Sequence, residues 1–253
     1  MIAEKIRLLL TPRGLKIAGQ SLLVLGGNII SLLNSSFYSV AKHDFWKQDQ
    51  DFVKIRKSVL GRSMLDTRKL HLFYNFAKAT LGTSGHVAEV GVYKGGTAKV
   101  LIEIFKNDPT KPQIHLFDTF EGMVDAKVSG EVFRKGDLGD TSLESVQDFL
   151  GSSTSTHYHK GDIESTRSDV CELKFRFVHI DVDYYQSIVD CFDFFYQRLL
   201  PGGIIVFDDY GAVSCPLASK AVNECCLIHG INPIYLYTTQ AIIIKPVLSD
   251  SEL

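Results

Sequence analysis

From His86 onward the chain alternates short apolar runs with helix-patterned stretches, and this alternation decides the fold class. His86–Val92, Gln113–Phe117, Thr156–His159, Phe175–Ile180 and Gly203–Phe207 read as strands. Thr97–Phe105, Ser142–Leu150 and Gln186–Leu199 read as helices between them, with Leu217–His229 after the fifth strand. Near-continuous apolar strands separated by helices require a mostly parallel sheet covered on both faces. Pro233–Tyr237 and Ala241–Lys245 are two further strands, and the few residues between them cannot make a parallel crossover. They must pair as a hairpin, which sets one strand antiparallel to the rest. Phe192, Phe194 and Phe195, with Tyr196, read as the core side of their helix.

Residues 1–85 read as an N-terminal helical extension and 86–253 as the sheet domain. Ile2, Ile6, Leu9 and Leu10 fall at helical spacing, and Asp66–Leu81 carries a stripe of Leu70, Phe73 and Phe76 or Ala77. Thr83-Ser84-Gly85 ends that helix. Leu15–Leu33 is apolar and follows Lys5, Arg7 and Arg13, as a membrane anchor would. Gln20, Ser21 and Asn28 interrupt it and Gly26-Gly27 weakens a helix there, so packing onto the main domain or between subunits of a homo-oligomer is the preferred reading. Lys and Arg number 27 against 29 Asp and Glu, a net charge of −2, which gives no basic surface for nucleic acid. The cysteines are five, without a C-x-x-C, so neither a disulfide framework nor a zinc site is expected. Core packing for each, in a reducing cytoplasmic setting, is the simple reading.

Three groups of residues carry chemistry. The first strand runs into Glu89-Val90-Gly91-Val92-Tyr93-Lys94-Gly95-Gly96-Thr97, where Gly91 permits a sharp turn and Gly95 and Gly96 let backbone approach a ligand. This is not the G-x-G-x-x-G of dinucleotide enzymes, which disfavours a nicotinamide dehydrogenase. Asp118, 29 positions after Glu89, ends the second strand, where an acid can accept hydrogen bonds from both ribose hydroxyls of a nucleoside; a turn or cap aspartate is the plainer alternative. Asp181 and Asp183 stand two apart at the end of one strand, so alternation points both the same way, and Asp208-Asp209 ends the next. Four carboxylates at the carboxyl ends of neighbouring strands repel unless a cation or protons compensate. Hard oxygen donors select Mg²⁺, Mn²⁺ or Ca²⁺ over zinc. His179 precedes the acidic pair closely enough to tune it, whereas the remaining histidines show no metal spacing.

These motifs, EVGVYKGG (89–96), DTFEG (118–122), SLESV (142–146), DVDYYQS (181–187), PGGIIVFDDYG (201–211) and KAVNE (220–224), resemble in order and spacing those of the macrocin O-methyltransferase family, metal-dependent sugar O-methyltransferases of antibiotic pathways. The resemblance runs from Ser58 through the C-terminal strands. It implies an α/β class I methyltransferase fold: a Rossmann-like, mostly parallel seven-stranded sheet with one antiparallel strand and helices on both faces. It further implies that Asp181, Asp208 and Asp209 hold the metal, that Asp183 is the general base, and that Glu89, Gly91, Tyr93, Gly95, Asp118, Thr119, Glu121, Gly122, Gly161, Asp162 and Asp181 border S-adenosylmethionine. Tyr184, Gln186 and Ile188 depart from the usual aliphatic residue, glutamate and threonine beside the base, which bears on the acceptor more than on the reaction.

The expected activity is methyl transfer to a metal-activated hydroxyl of a sugar or sugar-bearing small molecule. A catechol-type methyltransferase acting on an aromatic diol uses similar chemistry and is the alternative within enzymes. A cofactor-binding module without catalysis is the alternative outside them, and the full set of four aspartates speaks against it.

Overall fold

The computed structural model describes residues 45–247, of which those from Gln50 on form one compact unit. Strands β1 (His86–Val90), β2 (Ile114–Asp118), β3 (Thr156–Lys160), β4 (Phe175–Ile180), β5 (Leu199–Phe207), β6 (Ile234–Leu236) and β7 (Gln240–Ile244) form one seven-stranded sheet in the order β3-β2-β1-β4-β5-β7-β6. The pairs from β3 to β5 are parallel, and β7 runs antiparallel to both β5 and β6. Both the hairpin and the single reversed strand expected from the sequence are present. The helices are α1 (Gln50–Ser58), α2 (Thr67–Lys78), α3 (Gly96–Phe105), α4 (Leu143–Leu150), α5 (Ile163–Thr166), α6 (Tyr185–Arg198) and α7 (Ala218–Ile228). The helical spacing over residues 1–10 and the apolar stretch Leu15–Leu33 lie outside the described residues. No helix among the described residues is long and apolar enough to cross a membrane.

Side-chain alternation along the strands assigns the two faces. Phe73 of α2 packs against Phe177 and His179 of β4, with ring centroids 5.7 and 4.6 Å apart. Val178 and Ile180 point the other way, into a core with Phe192, Phe194 and Phe195 of α6 and Val222 and Cys226 of α7. The helix α2 starts where predicted because Asp66 caps it, accepting from the backbone N–H groups of Arg68 and Lys69 at 2.6 and 3.1 Å. Arg176, on the helical face of β4, is 3.0 Å from Asp108, and both side chains are buried. Burying an ion pair this deeply makes each partner indispensable to the other.

Three expectations need correction. The first strand stops at Val90 and not Val92, because Gly91 turns out of the sheet at φ +92°. The fifth strand begins at Leu199, ahead of Pro201, and not at Gly203. A register shift absorbs the proline, while Gly202 donates to the Lys245 carbonyl at 2.8 Å and Gly203 accepts from Lys245 at 2.9 Å. Cys171 is exposed beyond a short 3₁₀ turn, whereas Cys191, Cys215, Cys225 and Cys226 are buried as expected; all five are free.

The β2–β3 edge carries stacked histidines. His115 Nδ1 lies 3.1 Å from His159 Nε2, the His115 and His157 rings stack at 5.0 Å, and His159 Nδ1 meets Asp169 at 3.2 Å. Burial first, then the nearby His159, His157 and His86, push the His115 imidazole down to about 3. In the unfolded chain this group charges near pH 6.5. Below that pH the unfolded chain binds the extra proton, so the stability held above pH 6.5 declines as pH falls toward 3. Urea unfolding should show His115 alone removing about 2 kcal/mol between about pH 7.5 and pH 5, and His115→Phe should flatten that decline. Equal pH slopes in both proteins would refute the assignment.

Candidate active site

In this strand order the chain leaves β1 toward β2 on one side and β4 on the other, so the carboxyl ends of β1 and β4 mark a topological switch point. Open α/β sheets bind ligands there. A cavity of about 550 Å³ opens at this point. At its floor Gly91 passes so close to β4 that a Cβ would fall 1.8 Å from the Asp181 carbonyl oxygen. Gly91 therefore meets two demands, a left-handed φ and a backbone-on-backbone contact.

The glycine turn is held by Asp118. Its Oδ2 accepts from the Val92 and Tyr93 N–H groups at 2.7 and 2.8 Å, and its Oδ1 from Phe120 N–H at 2.7 Å. Asp118 thus acts as a turn aspartate while still facing the cavity, with acceptor capacity left on Oδ1. Tyr93 adopts φ +49° and donates its hydroxyl to Asp140 at 2.7 Å. Asp162 caps α5 through Ser165 N–H at 2.9 Å. Gly91, Tyr93, Asp118, Thr119, Gly122, Gly161 and Asp162 all line the cavity, together with Asp181, Asp183, Asp208 and Asp209. Glu89, Gly95 and Glu121 do not. Glu121 is exposed and ion-paired with Lys160 at 2.7 Å. The space beside Gly95 is taken by Val146 and Phe149, and that beside Gly96 by Arg62 and Ser63, so these two glycines serve chain packing where the sequence suggested ligand approach.

The aspartates converge. One carboxylate oxygen from each of Asp181, Asp208 and Asp209 lies within 4.8 Å of the others. Strand alternation does not place Asp183, because β4 ends at Ile180. Asp183 instead sits at φ +59° at the centre of a turn closed by Tyr184 N–H to Val182 O at 2.5 Å. Such a positive-φ γ-turn is strained for a residue with a side chain. Burial, and next the charge of Asp209, raises the Asp183 carboxyl to about 7 against a bond from the Cys215 thiol. Burial likewise raises Asp181 and Asp209, each helped by the charge of Asp208. Burial acts upward on Asp208 too, but His179 and Lys69 outweigh it and hold that carboxyl below its ordinary range.

Sequence reading missed several partners of this cluster. Lys69 Nζ donates to Asp208 Oδ2 at 2.7 Å and stands 3.7 Å from Asp209. A lysine four residues before Phe73 on the apolar stripe of α2 was the available clue. Gln240 of β7, fully buried, donates to Asp208 Oδ1 at 2.9 Å. Cys215 donates its thiol to Asp183 Oδ1 at 3.0 Å. His179 is buried between Glu89, 3.0 Å from its Nδ1, and Asp208, 4.0 Å from its Nε2, and the two carboxylates overcome the burial that opposes its charge, raising it to about 9.

Gly82 and Gly91 separate the two demands made on glycine, since Gly82 at φ +74° has nothing within 4 Å of an added Cβ. Gly82→Ala should cost about 1–2 kcal/mol in urea unfolding and leave cofactor affinity unchanged. Gly91→Ala should cost more and abolish cofactor binding by calorimetry; equal costs for the two would show that the contact with Asp181 does not matter.

The sequence profile of the family described as macrocin-O-methyltransferase (TylF) matches residues 34–233. Mycinamicin III 3''-O-methyltransferase of Micromonospora griseorubida is 24% identical over 68% of this chain and 73% of its own length. An 8-demethyl-8-(2,3-dimethoxy-alpha-L-rhamnosyl)-tetracenomycin-C 4'-O-methyltransferase of Streptomyces olivaceus is 25% identical over 66% of this chain and 67% of its own. Among solved structures, the O-methyltransferase NovP superposes with a TM-score of 0.65 at 20% identity, covering 74% of this chain and 83% of NovP. The calicheamicin methyltransferase CalS11 gives 0.59 at 17% identity, covering 80% and 94%. These superpositions establish the shared class I methyltransferase fold. The profile match spans the glycine turn, Asp118, Asp181, Asp183, Asp208 and Asp209, and the chain belongs to the macrocin-O-methyltransferase family of S-adenosylmethionine-dependent methyltransferases.

Proposed function

We propose that this methyltransferase transfers the methyl group of S-adenosylmethionine to a hydroxyl of a sugar-bearing small molecule, with Asp183 as general base and a hard divalent cation, Mg²⁺ or a similar ion, on Asp181, Asp208 and Asp209. The observation that carries the reading is the convergence of those three carboxylates beside a strained Asp183, in a cavity that the cofactor turn also lines. The sugar acceptor is taken from the tetracenomycin relative, whose name specifies a rhamnosyl-bearing substrate.

The donor set fits a cation. Asp181, Asp183 and Asp209 are all pushed toward protonation, by burial first and then by the charge of the neighbouring carboxylates, and a cation would offset both. Among the described residues Lys69 is the ammonium within ion-pair reach, and it engages Asp208 most closely. Asp181, Asp208 and Asp209 would hold a divalent cation, which would supply positive charge for the developing alkoxide of the acceptor. His179 faces Asp208 from one side and Gln240 donates to it from another. Asp183 removes the hydroxyl proton as the oxygen attacks the methyl carbon. Cys215 fixes Asp183 through its Oδ1. Asp118 and the turn it holds set the cofactor's approach, so that much of the remaining acceleration is positioning.

Lys69 favours one second reading, in which its ammonium compensates the aspartates without a metal. Dialysis against excess EDTA decides between them. Loss of methyl transfer, restored by Mg²⁺, is expected for the cation reading, whereas full turnover after chelation selects Lys69 alone.

Asp183→Asn keeps size and polarity but takes no proton. The rate constant kcat should fall by about 10²–10⁴ with cofactor and cation affinity near wild type. Asp181→Asn should lose cation binding and activity together. Near wild-type turnover by Asp183→Asn on a sugar acceptor would remove its assignment as base.

A further inference from the structure

Glu89, His179 and Asp208 lie on one face of three neighbouring strands. Glu89 of β1 and His179 of β4 are register partners, and Asp208 follows β5 two residues after Val206, the partner of His179. Glu89 Oε1 is 3.0 Å from His179 Nδ1, and both side chains are 0% exposed. His179 Nε2 has no hydrogen bond and faces Asp208 Oδ1 across 4.0 Å. A buried imidazole nitrogen without a partner is costly, and the carboxylate in front of it is Asp208. The cavity wall, by contrast, starts along β1 at Val90 and Gly91, so Glu89 lies behind it.

We infer that Glu89 is a positioning residue for the aspartate cluster, holding the His179 ring aimed at Asp208, and makes no contact with the cofactor. A glutamate that opens a glycine turn invites the opposite assignment, to the cofactor's amino acid portion. Its burial and its bond to His179 assign it to the other half of the site. A chain of carboxylate, imidazole and carboxylate orients an oxygen donor before the ion arrives. The inference rests on the reading of Asp181, Asp208 and Asp209 as cation ligands.

The test measures Mn²⁺ affinity by electron paramagnetic resonance without acceptor, and S-adenosylmethionine affinity by calorimetry. Glu89→Gln should weaken Mn²⁺ binding by about 10–100-fold while leaving cofactor affinity within about twofold. His179→Gln should do the same, and the two together should lose no more than His179→Gln alone, since Glu89 acts through the ring. Loss of cofactor affinity with Mn²⁺ affinity intact would overturn the inference. Absence of Mn²⁺ binding by the wild type would overturn the cation reading beneath it. Should the single variants not fold, Glu89→Leu/His179→Phe replaces the buried polar pair by apolar packing. That variant must lose Mn²⁺ affinity in the same way, and wild-type Mn²⁺ affinity in it would refute the positioning role.

Discussion

Asp181, Asp183, Asp208 and Asp209 crowd the ends of two adjacent strands, three of them with oxygens within 4.8 Å of one another. Like charges this close, in a site mostly withdrawn from water, cannot all ionise unaided. The surrounding structure answers chiefly at Asp208 and Asp183. Lys69 comes from α2, the buried imidazole of His179 from β4, the Gln240 amide from β7, and the Cys215 thiol from the segment before α7. Each lies on a different element, so the site is correct only when helix, sheet and closing hairpin are all in register. Repulsion among the carboxylates thus ties distant parts of the chain to one point.

Much of this was legible in the residues. The strand–helix alternation, the hairpin and the carboxyl-end placement of Asp118, Asp181, Asp208 and Asp209 follow from period and length alone. What local pattern could not supply were contacts made across the fold. Lys69 lies 139 positions before Asp208, and Gln240 lies 32 positions after it. Asp183 reaches the cavity through a left-handed turn, where alternation predicted the same destination by a different route. Gly95 and Gly96 carry the composition of a ligand loop, yet their empty sides are filled by Val146, Phe149, Arg62 and Ser63.

Backbone strain gathers at the same place. Tyr93, Phe120 and Asp183 all hold positive φ without being glycine, and all three adjoin the cavity or its supporting turn. Such conformations cost on the order of 1–3 kcal/mol each and persist where surroundings over-determine them. Here the determinants are visible. Tyr93 is pinned by Asp118 and Asp140, Phe120 by Asp118, and Asp183 by Cys215 and the Val182–Tyr184 bond. A pre-strained loop loses little further freedom when a ligand arrives, which favours a rigid cofactor turn over one ordered by binding.

The hydrogen bond from Gln240 to Asp208 also sets how this fold can be recombined. The reversed strand β7 is the last to join the sheet, and in open α/β folds such terminal hairpins make natural crossover points for splicing one relative onto another. Here the splice would cut the hydrogen bond that ties the hairpin to the aspartate cluster. A hairpin from another methyltransferase that lacked an amide at this position would leave Asp208 short of a donor in a buried setting. The hairpin and the acidic pair it touches therefore have to be inherited as one piece, and a chimaera has its boundary upstream of β5 or not at all.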